Sequence, residues 1–165
     1  MSQGLLETQR RIVTSAEEVR EATIEVASRA ERSITILTPD LEPSLYASEA
    51  FLEAVKRLVL ARSYSRVRAL IWDPARAVRT GNPFVGLASR LNATIDIRNL
   101  QEKYRGSISD AFIIADDSSI LYRSDGRAFD GIMGSREPEI VEQHLAAFRQ
   151  PWEDSVFRDH GRNAW

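Results

Sequence analysis

Three short stretches rich in β-branched residues alternate with longer amphipathic stretches in the N-terminal part of the chain. The short stretches are Ser33–Thr38, Val67–Trp72 and Thr94–Arg98, and residues of this kind favour pleated strands. Each intervening stretch is long enough to form a helix. The alternation therefore predicts an α/β fold, in which helices cover the faces of a sheet.

The helices are predicted from capping residues and apolar spacing. Thr14–Glu18 provides a hydroxyl cap followed by an acidic residue, so a helix is expected from about residue 15 to residue 31. A second helix is expected to begin at Ser44 or Ser48 and to end near Ser63. A third, short helix is predicted from residue 81 to residue 91.

The pattern changes in the second part of the chain. Ser107–Ala115 and Ser119–Arg123 predict two antiparallel strands that are joined by a turn. A loop at Ser124–Ser135 leads to a last helix, where Pro151 is expected to kink the helix or to begin a separate one. The order α-β-α-β-α-β-β-β-α predicts one mixed sheet with helices on both faces, an α/β/α sandwich.

The length of 165 residues fits one domain. We expect an N-terminal extension at residues 1–14, a domain at residues 15–156 and a tail at residues 157–165. The chain has no cysteine, which excludes disulfides, thiolate nucleophiles and zinc-thiolate sites. No apolar run is long enough to insert into a membrane, and residues 1–11 lack a secretory signal, so a cytoplasmic location is expected.

Positive charge in this chain comes almost entirely from arginine, with 20 Arg against 2 Lys and a formal net charge of −2. Arginine pairs with phosphate in a bidentate manner, but a GC-rich genome explains the excess equally and is the interpretation we favour. The segment Arg62–Arg68 alternates cations with Tyr64. This pattern is compatible with a contact to a nucleic-acid backbone, and equally with a solvated loop followed by an edge strand. Nucleic acid is therefore a weakly supported partner.

Polar residues follow the predicted strands. They are Thr38, Asp40, Asp73, Arg76 and Arg98. Ligand groups gather at the carboxyl ends of strands in α/β sheets, although Asp40 and Asp73 also suit turns beside proline.

The segment Ser109–Tyr122 resembles the signature strand pair of the phospholipase D superfamily. That superfamily carries His-x-Lys, four further residues and then Asp on a β-hairpin, with Gly-Ser downstream. In this register the histidine falls on Ser109, the lysine on Ala111 and the aspartate on Asp116, while Gly-Ser falls on Arg123 and Ser124. The resemblance covers about residues 34–152 and implies a phospholipase D-like fold.

The resemblance also bears on chemistry. In the superfamily the histidine attacks phosphorus and the lysine neutralises phosphate charge, which Ser109 and Ala111 cannot do. We therefore expect no catalysis of that type, and Ser109 and Asp116 are weak catalytic candidates. The two histidines, His144 and His160, are far from this strand in sequence and are expected to be a partly exposed helix residue and a solvated residue.

A helix start provides the best candidate for an anion site. Ser135 is predicted to cap the last helix beside Arg136, and free N–H groups at such an end can hold an anion, although ordinary capping explains the same residues. The candidate ligand-binding residues are Arg98, Arg123, Ser135 and Arg136. The spacing of the aspartates matches no established metal loop, so no metal or other cofactor is predicted.

These observations predict a catalytically inactive binding or regulatory module, with a phosphate-bearing ligand as its partner. The alternatives are a divergent phosphodiesterase or nuclease, with or without a metal, and a purely structural interaction domain. Because two such units face each other in active members of the superfamily, the resemblance also implies a homodimer with the hairpin near the two-fold axis.

Overall fold

The computed structural model describes residues 10–77 and 82–157, and within them eight strands form one mixed sheet. Their order across the sheet is β1-β7-β6-β5-β2-β3-β4-β8. In chain order the strands are β1 Arg10–Val13, β2 Ser33–Thr38, β3 Arg66–Ile71, β4 Ile95–Asn99, β5 Ala111–Ala115, β6 Ser119–Arg123, β7 Gly131–Gly134 and β8 Val156–Phe157.

The strand directions define two edges of the sheet. Strands β2, β3 and β4 are parallel, whereas β5 is antiparallel to β2 and β6 is antiparallel to β5. The carboxyl ends of β2, β3, β4 and β6 therefore meet the amino end of β5 at one edge. We call this edge the upper edge and the opposite one the lower edge.

Helices cover both faces, as the sequence predicts. Helices α1, α3 and α5 pack against one face, and α6 packs against the other, so that the sheet separates two apolar clusters. A 3-10 turn at Glu102–Tyr104 precedes β5. The helices are α1 Ala16–Arg29, α2 Pro43–Tyr46, α3 Glu49–Ala61, α4 Pro74–Ala77, α5 Pro83–Arg90 and α6 Pro138–Glu153.

Side-chain caps fix the starts of the two long helices on the first face. Ser15 Oγ accepts a hydrogen bond from the Glu18 backbone N–H at 3.2 Å, and Glu18 Oε1 accepts one from the Thr14 N–H at 2.8 Å. This reciprocal cap is the one that the sequence predicts. Ser48 Oγ accepts from the Phe51 N–H at 3.2 Å, so α3 begins after Ser48, and residues 43–46 form a separate turn of helix.

Four strands differ from the sequence-based prediction, and one of them is β8, which follows the last helix where no strand is predicted. β1 lies within the stretch expected to be an extension, and β7 lies within the expected loop Ser124–Ser135. β7 begins and ends with glycine, so it lacks the β-branched pattern that predicts a strand. β5 begins at Ala111 rather than at Ser107, because residues 107–110 do not pair with a neighbouring strand.

Helix α6 also differs from expectation. It continues through Pro151 to Glu153, so the predicted second helix does not form. Pro151 lies in the last turn, where a missing backbone donor removes one hydrogen bond without separating two helical segments. Among the described residues, no helix combines the length and the apolar character that a bilayer-spanning segment needs.

Candidate functional site

The β5–β6 hairpin separates the two residues that the sequence offers as catalytic candidates. Ala111 is paired with Arg123 at the upper edge, and Ala115 is paired with Ser119 at the lower edge. Ser109 is exposed just before β5, whereas Asp116 lies in the turn after it. Seven residues of extended chain span roughly 20 Å. Ser109 and Asp116 therefore do not share a site.

Asp116 binds the protein's own backbone. Its carboxylate accepts hydrogen bonds from the N–H groups of Glu31 at 3.0 Å, Arg32 at 2.7 Å and Ser33 at 3.0 Å. Asp116 has a φ of 58°, a left-handed conformation that Asp tolerates better than most residues. Asp116 thus connects the hairpin turn to the start of β2.

Arg123 forms a buried ion pair at the upper edge. Its side chain is 2% exposed, and its Nη2 lies 2.6 Å from Glu42 Oε1. Nη1 donates to Glu42 Oε2 at 3.2 Å and to the carbonyl oxygens of Gly126 and Ala128. Burial acts to lower the pKa of Arg123, but the hydrogen bonds and charge of Glu42 outweigh it, and the pKa is raised.

The Arg123–Glu42 pair lies across from Ala111, the position that the resemblance aligns with a lysine. Arg123 is the cross-strand partner of Ala111, and directly opposite residues project on the same sheet face. A methyl group and an ion-paired guanidinium therefore lie side by side on this face. Ser109 lies beside this pair, and its carbonyl accepts a hydrogen bond from the Gly126 N–H at 2.8 Å.

Two further ion pairs complete what we call the upper-edge crevice. Arg76 Nε lies 3.2 Å from Asp40 Oδ2, and Arg127 is hydrogen-bonded to Asp73. The crevice has a volume of about 280 Å³, and Phe129 is among the residues that line it. The sequence predicts that Asp40, Asp73 and Arg76 lie at one edge, and the structure brings them together there.

Asp40 is the least solvated carboxyl group in these pairs. Its side chain is 10% exposed, and Oδ1 is buried without a hydrogen-bond partner among the described residues. Burial raises the pKa of Asp40, and the nearby charge of Asp73 adds to this, while Arg76 and Arg127 oppose it.

A third group lies on the face covered by α6. Tyr122 donates its hydroxyl hydrogen to Asp110 Oδ2 at 3.0 Å, and the ring of His144 stacks on Tyr122 with 4.4 Å between centroids. Asp110 and His144 line a cavity of about 200 Å³ together with Phe148. Asp110 projects on the opposite face from Ala111, since successive residues of an extended chain alternate.

Burial shifts the pKa values of Tyr122 and His144. It raises the pKa of Tyr122 to about 12, with the hydrogen bond to Asp110 adding to the effect. Burial lowers the pKa of His144, and the charge of Asp110 opposes this. The stacking of His144 on Tyr122 could not be predicted from the sequence, because His144 is distant from the hairpin along the chain. His160 lies outside the described residues.

The four predicted ligand-binding residues do not come together. Arg98 lies near the carboxyl end of β4, with its guanidinium 4.4 Å from the centre of the Trp152 ring. Arg123 is held by Glu42. Ser135 and Arg136 follow β7 at the lower edge, where the Ser135 carbonyl accepts from Ser119 Oγ at 3.0 Å.

The predicted cap of the last helix is also wrong. Glu137, not Ser135, is the N-cap residue of α6, because Pro138 fixes the first helical position. The Glu137 carboxylate does not cap the helix but pairs with Arg10 at 2.6 Å. A carboxylate thus already lies at this helix start. Among residues 10–77 and 82–157, no three side chains of the usual ligand types lie close enough to hold a metal ion.

Comparisons with known proteins agree with the fold. The family described as "Domain of unknown function (DUF7931)" matches residues 15–162. No curated protein matches the sequence. Nuc from Salmonella typhimurium, a phospholipase D family member, has a similar structure at 15% identity, with a TM-score of 0.64 over 92% of this chain and 99% of Nuc.

Two other solved structures are similar. NucT from Helicobacter pylori has 13% identity and a TM-score of 0.63 over 92% of this chain and 100% of NucT. The archaeal chromatin protein TrmBL2, whose structure shows a novel mode of DNA binding, has 13% identity and a TM-score of 0.63 over 95% of this chain and 58% of TrmBL2. The mixed sheet with helices on both faces is therefore confirmed as a phospholipase D-like fold.

Proposed function

Since the chain belongs to the DUF7931 family of domains of unknown function and has a phospholipase D-like fold, we propose that it is a noncatalytic module that binds a phosphate-bearing ligand. One observation carries the proposal. The buried Arg123–Glu42 pair lies opposite Ala111, where phospholipase D-type catalysis needs a free cation beside a nucleophile.

The surroundings of Ser109 also argue against catalysis. A serine nucleophile needs a base within hydrogen-bonding reach. Asp110, the neighbour of Ser109, projects to the other face of the sheet, where its carboxylate accepts a hydrogen bond from the Tyr122 hydroxyl. Glu42, on the Ser109 side, is engaged by Arg123. Neither carboxylate is placed to deprotonate Ser109.

Exposed arginines support a phosphate-bearing ligand. Arg76 and Arg127 line the upper-edge crevice with side chains that are 52% and 43% exposed. Guanidinium groups match phosphate oxygens in geometry, and both arginines already bind carboxylates of similar shape. The DNA-binding mode of the similar TrmBL2 makes nucleic acid one source of such phosphates.

The test measures turnover and binding on the same full chain. We expect no hydrolysis of bis-para-nitrophenyl phosphate or of DNA, with Mg²⁺ or with EDTA. We also expect pyrophosphate to raise the melting temperature, because a ligand that binds the native state stabilises it. Arg127→Gln should reduce this rise, whereas Arg90→Gln, an exposed change on α5, should not.

Two results would contradict the proposal. Turnover that Ser109→Ala abolishes would show a serine-dependent enzyme. A melting temperature that does not respond to pyrophosphate or phosphate would favour a purely structural interaction domain.

A divergent phosphodiesterase is the second candidate, and the position of His144 favours it. His144 and Asp110 line one cavity, and the lowered pKa of His144 keeps its imidazole neutral and able to accept a proton near pH 7. If this candidate is correct, turnover should be lost in His144→Gln and should persist in Ser109→Ala.

A further inference from the structure

A cluster of cations lies on the face of the sheet that α6 only partly covers. It consists of Arg66, Arg68, Arg98 and Arg149, and we call it the arginine surface. Successive strand residues point to opposite faces, so Val67 and Ala69 enter the core on the other face while Arg66 and Arg68 project here. In the sequence, Arg66 and Arg68 are recognisable only as part of the basic stretch Arg62–Arg68.

Aromatic rings support two of these arginines from beneath. The Arg68 guanidinium lies 5.2 Å from the centre of the Phe148 ring, and that of Arg98 lies 4.4 Å from the centre of the Trp152 ring. The two rings stack on each other, and both are buried. Arg68 Nη2 also donates to Thr35 Oγ1 at 3.3 Å. These contacts hold the guanidinium groups in place, so a ligand need not order them.

The charges of the arginine surface are poorly balanced. Burial lowers the pKa of Arg68, and the like charges of Arg66, Arg98 and Arg149 lower it further, while Asp96 opposes them. Asp96 is paired with Arg98 at 3.0 Å. Within residues 10–77 and 82–157, Asp96 is the carboxylate that opposes the three neighbouring cations at Arg68, on a chain whose formal net charge is −2. Crowding of like charges disfavours the folded state, and an anion that spans them would relieve it.

We propose that the arginine surface binds the phosphate backbone of double-stranded DNA. This inference rests on the proposed function, since it names the class of the phosphate-bearing ligand. Arg66 and Arg149 are exposed, and several guanidinium groups on one face can contact successive phosphates. Phe148 and Trp152 lie beneath the cations and offer no open ring on which bases could stack, which favours a duplex over a single strand.

Fluorescence anisotropy with a labelled duplex of about 20 base pairs tests the proposal on the full chain. The variant Arg66→Glu/Arg149→Glu changes two exposed residues. The matched control is Arg57→Glu/Arg90→Glu, which makes the same change of charge on α3 and α5, on the opposite face. Thermal unfolding of both variants verifies that they are folded.

We expect the duplex to bind the native chain with little sequence preference. The Arg66/Arg149 variant should weaken binding by about tenfold or more at 0.1 M salt, and the slope of log K against log salt should become shallower by about 2. The control should change the affinity by less than about threefold. A single strand of the same sequence should bind more weakly than the duplex.

Each other outcome overturns the inference. An equal loss in both variants would show a general effect of net charge. Binding of vesicles containing anionic phospholipid, lost in the Arg66/Arg149 variant and accompanied by no DNA binding, would assign the surface to a membrane. DNA binding that the Arg66/Arg149 variant leaves intact would move the site elsewhere. The turnover and pyrophosphate experiments judge the proposed function separately, because they do not depend on Arg66 or Arg149.

Discussion

The Asp116 carboxylate accepts hydrogen bonds from the backbone and is not free to bind a ligand. Three N–H groups of residues 31–33 converge on its carboxylate. Asp116→Asn retains a side chain that tolerates the left-handed conformation and replaces one acceptor oxygen with an amide donor. We expect a loss of about 1–2 kcal/mol in the free energy of unfolding, measured by urea denaturation.

The neighbouring Asp117 supplies the matched control. Its side chain is 78% exposed and makes a surface pair with Arg32 at 3.5 Å, and such pairs contribute little to stability. Asp117→Asn should therefore change the free energy of unfolding by less than about 0.5 kcal/mol. Equal effects of the two substitutions would show that the backbone contacts of Asp116 are unimportant.

The Arg123–Glu42 pair makes the second prediction at this scale. Arg123→Met leaves the Glu42 carboxylate, which is 17% exposed, without its partner. Breaking a buried pair by removing one charge costs about 3–5 kcal/mol. The double variant Arg123→Met/Glu42→Gln removes both charges and should recover part of that loss. A double-mutant cycle by chemical denaturation measures the coupling, and additive effects would contradict it.

His144 should make stability depend on pH. Because burial lowers its folded pKa below the ordinary value of 6.5, the unfolded chain binds this proton more readily. The stability that His144 contributes is therefore complete above pH 6.5 and is lost as the pH falls through the lowered pKa. His144→Phe should flatten the fall in melting temperature below pH 6.5. Both chains retain His160, so it cancels in the comparison.

At the scale of the element, the sequence predicts correctly those helices and strands that depend on neighbouring residues alone. The caps at Ser15 and Ser48 and the β-branched run at Ser33–Thr38 needed no distant partner, and these elements form as predicted. β7 has glycine at both ends, and it becomes a strand because β1 and β6 pair with it. Pairing between distant segments leaves no pattern in the sequence of a short strand.

In the candidate site too, the residues placed by local pattern are predicted, and the contacts between distant elements are not. The rule that strand ends gather ligand groups placed Asp40, Asp73 and Arg76 correctly, because the rule depends only on strand direction. The Arg123–Glu42 and Tyr122–His144 contacts were missed, since each joins elements that are distant along the chain. The arginines of β3 and β4 could have been found by combining the alternation of the strands with their parallel pairing.

Two glycines give a matched test of how elements pack. A Cβ atom at Gly131 would lie 2.7 Å from the Tyr122 carbonyl oxygen, so Gly131→Ala must displace β7 from β6 and should destabilise the fold. A Cβ atom at Gly86 in α5 would meet only the end of the Arg90 side chain, at 3.9 Å. Gly86→Ala should therefore stabilise by about 0.5–1 kcal/mol, since alanine loses less backbone entropy in a helix. Thermal and urea unfolding measure both effects, and a neutral Gly131→Ala would contradict the close approach.

At the scale of the whole molecule, we expect two copies to pair with their hairpins facing a two-fold axis, as the superfamily resemblance implies. Size-exclusion chromatography with light scattering should return about twice 18.6 kDa.

Because the chain has no cysteine, a single introduced thiol reports its own surroundings. Ser109→Cys, at the exposed start of the hairpin, should form a disulfide between two copies under mild oxidation, since residues near a two-fold axis approach their own symmetry mates. Ser89→Cys, exposed on α5, should remain a free thiol and form no cross-link between the two copies. A monomeric mass at micromolar concentration would exclude the dimer, and a dimer that cross-links through Ser89→Cys instead would place the axis near α5 rather than at the hairpin.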